Sequence, residues 1–270
     1  MSSASTVAQV VAALERRYPL ASAEPWDAVG LVCGDPQSPV QRILWAVDPV
    51  EAIVDQAIGL DVNLVVTHHP LFLAGVHAVA ADSAKGRVVH RLIKAGIALY
   101  CAHTNADVAS PGVSDALAAA LGLDDVRPLA SDTSLGRLGV LPQPAPLGVF
   151  AARVAASLPP THHGARVLGD PAAIVSTVAV CGGSGDSLLA TATAAGADVY
   201  VTADLKHHRA LEHREDGGCA VIDVAHWASE WPWLAQAATL LADDLPGATV
   251  KSLVSEIPTD PWDSAMRSTS

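Results

Sequence analysis

Histidines and carboxylates gather where short apolar runs of this sequence end. They are His68, His69, His103, Asp107, Asp204, His208, His226 and Glu230. Imidazole nitrogen and carboxylate oxygen together form the ligand set of Zn, Mn, Fe, Co or Ni, and one carboxylate can bridge two such ions. The residue types therefore predict a divalent-metal centre, provided that the fold brings these side chains together.

These residues follow apolar, β-branched runs that alternate with alanine-rich helical stretches. The runs predict strands at 43–47, 64–67, 97–101, 177–181, 199–202 and 220–224. Such alternation is typical of an α/β fold in which crossover helices cover both faces of a largely parallel sheet. Because parallel strands end at one edge of a sheet, the histidines and carboxylates are expected at that edge.

The two halves of the chain resemble each other, which predicts an internal duplication with approximate two-fold symmetry. A glycine and an aspartate precede a buried strand in each half, and polar residues follow it. The matching residues are Gly59 and Gly196, then Asp61 and Asp198, then His68-His69 in the first half and Ala203-Asp204 followed by His207-His208 in the second. A second strand in each half leads into His-x-x-x-acid, at His103–Asp107 and at His226–Glu230. Two such half-sites facing each other would form a dinuclear centre.

Each signal also has a structural interpretation. A lone histidine at a strand end is more often hydrogen-bonded or exposed than a ligand. Neighbouring side chains of a continuing strand point to opposite sides, so His68 and His69 both reach a metal only where the chain turns, as Pro70 predicts. His-x-x-x-Glu on a helix is commonly a solvated surface pair.

Two further motifs are interpreted as structural. His162-His163 lies among prolines and glycine with no carboxylate nearby in sequence, which indicates an exposed loop. The run from Gly182-Gly183 to Asp186 joins a strand to a helix, so its N–H groups could cradle an anion, but no Gly-Lys-Ser/Thr follows. A tight turn that needs glycine is the favoured explanation.

The amino-acid composition restricts the classes of binding partner and the cellular compartment that can be expected. Acidic residues outnumber basic ones by 28 to 16, which gives a formal charge of -12 and argues against nucleic acid as a partner. The four cysteines form no C-x-x-C pair and are expected to be reduced thiols. No signal-peptide pattern or membrane-length apolar run is present, so a cytoplasmic protein without membrane association is expected.

Five motifs resemble the family called GTP cyclohydrolase I type 2 homologues, or NGG-interacting-factor-three-like proteins. They are the segments 26–31 (WDAVGL), 67–71 (THHPL), 103–107 (HTNAD), 202–208 (TADLKHH) and 223–230 (DVAHWASE). The resemblance covers about residues 24 to 233. It implies two similar three-layer α/β/α domains, a dinuclear metal centre in the cleft between them, and a toroidal homohexamer.

The resemblance also implies a ligand set. Carried over by motif, the metal ligands are His68, His69, Asp107, His226 and Glu230, with Glu230 or Asp107 placed to bridge two divalent ions. The neighbours expected to orient ligands or transfer protons are His103, Asp204 and His208. The metal can be Zn, Mn, Fe, Co or Ni, since availability decides as much as affinity.

Domain boundaries and departures from the family complete the expectations. Residues 1–125 with 225–270 are expected to form the first domain and residues 126–224 the second, without the long inserted domain of some relatives. Ala203 and Ala225 stand where the family usually has glycine, and their methyl groups are expected to tighten the cleft or alter the backbone approach.

Two functions follow from these expectations. The first is a metal-dependent hydrolase acting on a nucleotide-like or other small substrate, in which two ions make hydroxide from a shared water. The second is a non-enzymatic metal chaperone, store or metal-responsive partner, since no substrate-binding motif accompanies the ligands. A purely structural role of the histidines is the third interpretation, which the family resemblance disfavours.

Overall fold

The computed structural model describes residues 5–130, 132–245 and 249–266 of the chain. Its strands are β1 Ser5–Thr6, β2 Gly30–Cys33, β3 Pro39–Val40, β4 Arg42–Ala46, β5 Leu64–Thr67, β6 Ala98–Cys101, β7 Asp124–Pro128, β8 Arg137–Pro146, β9 Ala165–Leu168, β10 Ile174–Ser184, β11 Val199–Ala203, β12 Ala220–Val224 and β13 Lys251–Val254. Its helices are α1 Val7–Arg17, α2 Glu51–Gly59, α3 Ala84–Lys94, α4 Thr104–Asp107, α5 Val113–Ala120, α6 Leu147–Ser157, α7 Leu189–Ala194, α8 His207–Glu215 and α9 His226–Asp244. Within these described ranges, no helix is long and apolar enough to cross a membrane.

The chain forms two compact units. Unit 1 comprises Met1–Ala109 and Leu234–Thr259, and unit 2 comprises Ser110–Trp233 and Asp260–Ser270. The chain passes from unit 2 into unit 1 within α9. The boundaries predicted from the sequence, at 125/126 and 224/225, both lie inside unit 2 in this division.

The sheet of unit 1 is mostly parallel. Its strand order is β13-β4-β5-β6-β2, in which the first four strands are parallel and β2 runs antiparallel to β6. Helices α2 and α3 are the crossovers from β4 to β5 and from β5 to β6, and they bury Ile53, Val54 and Leu92 against Leu44 of the sheet. Burial of these aliphatic side chains fixes the strands whose ends carry the first histidines.

The sheet of unit 2 corrects the expectation of a largely parallel sheet. Its order is β7-β8-β10-β11-β12-β9, and only β10-β11 and β11-β12 pair in parallel. The pairs β7-β8, β8-β10 and β12-β9 are antiparallel. Antiparallel neighbours need no crossover helix, so the alternation of strands and helices in the sequence did not reveal them.

Backbone hydrogen bonds of the two units reproduce one pattern twice. The Asn63 side chain accepts hydrogen bonds from the backbone N–H groups of Gln41 and Arg42, and its own carbonyl accepts one from Ala98. In unit 2 Asp198 does the same for Ser176 and Thr177, and its carbonyl accepts from Ala220. One residue therefore ties three successive parallel strands together in each unit, as expected of a duplication.

This pattern also corrects the alignment of the repeat. Asp198 corresponds to Asn63, not to Asp61, because both residues bind the starts of the neighbouring strands. Asp61 has a φ of 51° and corresponds instead to Gly196, with a φ of 77°, at the end of the preceding helix. Counted along β5 and β11, the pair His68-His69 then corresponds to Ala203-Asp204, so the duplication supplies two imidazoles in unit 1 and one carboxylate in unit 2.

Candidate metal centre

The His-His-Pro segment follows β5, and its first two residues still form backbone hydrogen bonds with the neighbouring stretch of chain. The N–H groups of His68 and His69 donate to the carbonyls of Ala46 and Val47, so the chain stays paired with β4 through His69. The Thr67 hydroxyl, itself buried, donates to the carbonyl of His69 at 2.9 Å. The two imidazoles nevertheless come together, with ring centroids 5.1 Å apart.

Each of these imidazoles has its Nδ1 engaged by an acceptor. His68 Nδ1 lies 3.0 Å from the carbonyl of Ala102, which follows β6. His69 Nδ1 lies 2.7 Å from Oδ1 of Asp48, which follows β4. With Nδ1 as donor in both rings, Nε2 is the nitrogen that each presents as a metal ligand.

His103 joins the same cluster. A ligand atom from each of His68, His69 and His103 lies within 4.8 Å of the others, which is close enough for one ion to contact all three. His103 Nδ1 lies 2.9 Å from Oδ1 of Asp27, whose other oxygen accepts from the N–H and hydroxyl of Thr104. The sequence analysis predicts His103 only as a neighbour of the ligands. In the structure a ligand atom of its ring is as close to those of His68 and His69 as a shared ion requires.

Electrostatics favour neutral imidazole at His103. Burial and the neighbouring His68 lower the pKa of His103, although the Asp27 carboxylate opposes them. At Asp27 burial opposes ionisation, but hydrogen bonds from Thr104 and His103 outweigh it and lower the pKa of that carboxyl group. A neutral ring held by an ionised carboxylate is the form in which histidine binds metal.

Asp107 lies beside this trio at the end of the short helix α4. Its Oδ1 is 3.7 Å from Nε2 of His68, and its side chain is partly exposed. This distance exceeds a hydrogen bond and suits a carboxylate that contacts the same ion from another direction.

Unit 2 contributes a second set at the start of α9. Nε2 of His226 lies 2.9 Å from Oε1 of Glu230, one helical turn on. Nδ1 of His226 lies 2.7 Å from Oδ2 of Asp204, a residue held at a φ of 57° just beyond β11. Burial opposes the charge on this imidazole, but the two carboxylates outweigh it and raise the pKa of His226 to about 11. Asp204 thus orients His226, and a metal at Nε2 would have to displace the proton shared with Glu230.

The two glycines at the end of β10 shape this second set. Gly183 has a φ of 68°, and a Cβ at this position would lie 2.4 Å from Oε1 of Glu230. The N–H of Gly183 donates to the hydroxyl of Ser229 at 2.8 Å, and the N–H of Gly182 donates to that of Ser114. Because both N–H groups are already bonded within the protein, the tight-turn interpretation of the glycine run is favoured over the anion cradle.

His208 belongs to neither set, whereas Ala203 and Ala225 directly precede Asp204 and His226 of the second one. His208 is exposed on α8 and contacts only the ring of His207 among the described ring contacts. Ala203 and Ala225 are buried, at 0% and 4% exposure.

His163 corrects the interpretation of the His162-His163 pair as an exposed loop, because its partner is a carboxylate distant in sequence. His162 is exposed, but Nε2 of His163 lies 3.1 Å from the buried carboxylate of Asp223, which Arg166 also contacts. At Asp223 burial opposes ionisation, but hydrogen bonds from His163, the N–H of Leu205 and Arg166 outweigh it and lower its pKa.

Asp27 and Asp48 were missed as candidate residues. Asp48 lies two residues after β4, so the reasoning from strand ends that identified the histidines also applies to it. Asp27 precedes β2 and belongs to the 26–31 motif, yet nothing in its local sequence indicates a histidine partner 76 positions away.

Comparisons with known proteins show the family to which this chain is similar. The family model described as Duf34/NIF3 (NGG1p interacting factor 3) matches residues 5–261. A Streptomyces coelicolor protein named "GTP cyclohydrolase 1 type 2 homolog" is 52% identical over 265 residues, which cover 95% of this chain and 93% of that protein. A Mycobacterium tuberculosis protein with the same name is 38% identical over 367 residues, covering 95% of this chain and 96% of that protein.

Solved structures show the same fold. A Bacillus cereus protein described as related to NIF3 superposes with a TM-score of 0.87 at 26% identity, covering 95% of this chain and 98% of that one. A Staphylococcus aureus protein superposes with a TM-score of 0.88 at 28% identity, covering 97% of this chain and 100% of that one. The two-domain α/β fold expected from the motifs is confirmed.

Proposed function

Because this chain belongs to the Duf34/NIF3 family, we propose that it is a dinuclear metal-dependent hydrolase of a small, nucleotide-like substrate. The ligands in this proposal are those predicted from the sequence, namely His68, His69, Asp107, His226 and Glu230. His103 is added as a further ligand candidate, since it lies within the same 4.8 Å cluster as the first two histidines.

The observation that carries the proposal is that Nδ1 of each of four histidines lies beside a hydrogen-bond acceptor. Three of the four histidines place Nδ1 within 2.9 Å of a carboxylate, and His68 places it 3.0 Å from a backbone carbonyl. Such pairs fix the tautomer, raise the basicity of Nε2 and orient the ring, which is how proteins prepare histidine for a metal. Four neighbouring histidines that each have an acceptor at Nδ1 are not typical of ordinary surface histidines.

The donor set fits divalent Zn, Mn, Fe, Co or Ni, which take imidazole nitrogen and carboxylate oxygen. Two bound ions would supply a hydroxide near neutral pH and a positive field for the developing negative charge. The protein's own part is to hold the rings through Asp48, Asp27 and Asp204, and to keep Glu230 buried beside His226. The relatives named for GTP cyclohydrolase support a nucleotide-like substrate.

The proposal extends to assembly and location. From the family resemblance we propose a homohexamer in the cytoplasm. All four cysteines are thiols in the structure, which agrees with a reducing compartment.

Metal analysis of paired variants tests the proposal. His68→Ala removes a ligand of unit 1 and Glu230→Ala one of unit 2, and each should lower the number of bound ions per chain without unfolding the protein. His162→Ala is the control, because His162 is exposed and lies in neither set. Elemental analysis would be paired with hydrolysis of GTP and simple phosphoesters before and after chelation and metal return.

Four outcomes separate the alternatives. Two ions per chain with chelator-sensitive turnover supports the hydrolase. Metal without turnover moves the assignment to a metal chaperone or store. Retention of both ions by both variants shows that the ligand set is wrong, and absence of metal after its return removes the metal centre itself.

A further inference from the structure

Trp26 is an exposed aromatic side chain next to the histidine cluster of unit 1. Its side chain is 56% exposed, whereas Trp45 and Trp233 are 0% exposed. Its indole meets the ring of His103 with centroids 6.1 Å apart and planes inclined by 77°. His103 in turn lies 5.2 Å from His68 and 5.6 Å from His69, again between ring centroids. A single imidazole thus separates the indole from the rest of the cluster.

The backbone that carries Trp26 is anchored on both sides. Before it, the N–H of Glu24 donates to the hydroxyl of Thr104 at 2.9 Å. After it, the Asp27 carboxylate binds Thr104 and His103, and the N–H of Asp27 donates to the carbonyl of Glu24. The indole therefore sits on a rigid turn that is tied to the residues which position the cluster.

Exposure of one large apolar side chain is common and by itself carries no functional meaning. At Trp26 two further facts apply, since the turn is fixed and the ring adjoins the cluster through His103. A rigid, half-solvated aromatic surface binds a flat ring at little entropic cost, because its own backbone is already ordered.

We propose that Trp26 is the stacking surface for a planar aromatic ring of the substrate, whose reacting group lies at the histidine cluster. This inference rests on the function proposed above and narrows its substrate to molecules that carry a flat heteroaromatic ring. Every nucleobase has a π-face that stacks on indole, so the contact favours ring-bearing ligands without selecting one base. Trp26 is in this view a specificity-determining residue and not a catalytic one.

Calorimetric titration of the metal-loaded full chain tests this assignment. The probes are guanosine, adenosine and uridine, which carry rings, and tripolyphosphate, which has none. Loss of one base–aromatic stack should weaken nucleoside binding by about tenfold or more in Trp26→Ala. Trp26→Phe keeps a smaller π-face and should weaken it by roughly threefold. Tripolyphosphate binding and metal content should stay as in the wild type.

Trp262→Ala is the matched control. Trp262 is also exposed, at 65%, but makes no ring contact with a histidine among the described residues. Equal nucleoside affinity of Trp26→Ala and the wild type would overturn the assignment. It would also be overturned if Trp26→Ala lost tripolyphosphate binding as much as nucleoside binding, or if its assembly differed in mass from that of the wild type. Failure of the metal-loaded wild type to bind any of the three nucleosides would also overturn it. Failure of the proposed metal centre is distinguishable, since it appears as missing metal in the wild type.

Discussion

Replacement of Gly183 by alanine tests whether the second ligand set depends on the glycine turn. The added Cβ would lie 2.4 Å from Oε1 of Glu230, and ordinary contact begins near 3.4 Å, so the carboxylate oxygen must move by about 1 Å. That movement disrupts the 2.9 Å contact between Glu230 and Nε2 of His226. Since Glu230 is a flexible side chain, the structural cost is small, but the ligand geometry is lost.

Two effects of the substitution have different magnitudes. Alanine at a φ of 68° costs about 1–2 kcal/mol of unfolding free energy, because left-handed backbone is unfavourable for any residue with a Cβ. Displacement of a ligand should lower metal affinity by about tenfold or more, since even changes at the neighbours of ligands have effects of this size. Competition with a chelator of known affinity measures the second effect, and urea unfolding measures the first.

Gly196→Ala separates the two effects. Gly196 has a φ of 77°, and a Cβ there meets nothing within 4 Å. This variant should lose similar stability but keep wild-type metal affinity. If Gly183→Ala also binds metal like the wild type, Glu230 is not a ligand or tolerates the displacement, and the reasoning fails.

Two further predictions concern carboxylates that hold histidines. Asp48→Asn weakens the hydrogen-bond acceptor of His69 Nδ1 and should lower metal affinity by about 10–100-fold in chelator competition. Asp55→Asn, on the exposed face of α2, is the control and should keep wild-type metal affinity. Equal metal affinity of Asp48→Asn and the wild type would contradict the role of Asp48. Asp223 has a lowered pKa in the folded state, so its ionised form stabilises the fold above the ordinary carboxyl pKa, and this stability is lost as the pH falls below about 4. Asp223→Asn should therefore be less stable than the wild type at pH 7, and its free energy of unfolding in urea should fall less between about pH 5 and pH 3. If the variant and the wild type show the same pH dependence, Asp223 is not the group responsible for the loss of stability in acid.

The central parallel strands were predictable because their burial leaves a continuous apolar signal, whereas the antiparallel β8 inside the second sheet was not predicted. β5 and β12 begin and end where the sequence predicts, and β4 and β6 differ from the prediction by one residue. The edge strands were not predictable in this way. β7 is exposed along its whole length, so no apolar run marks it.

The histidines and carboxylates at the strand ends are predicted as candidates from residue type and strand position, and the family resemblance selects the ligands among them. Of the carboxylates that hold the histidines, only Asp204 is among these candidates. Asp204 was found because it follows β11, and the structure places it 2.7 Å from His226 Nδ1. His103 was found for the same reason, but its role as an equal member of the cluster depends on side-chain direction. A strand end fixes the position of a residue, whereas the direction of its ring is set by an acceptor on another element.

The omission of Asp27 and the misinterpretation of His163 have one physical cause. The sequence prediction concerns residues that follow parallel strands, yet the five-stranded and the six-stranded sheet each have an antiparallel strand beside the last parallel one. β2 runs against β6 with Gly30 opposite Cys101, so the residues before β2 lie at the edge where β6 ends. β9 runs against β12 in the same way, so the residues before β9 lie beside the end of β12. Asp27 thereby reaches His103, and His163 reaches Asp223. In a mixed sheet, the residues that precede an antiparallel edge strand therefore belong to the same set of candidates as those that follow its parallel neighbours.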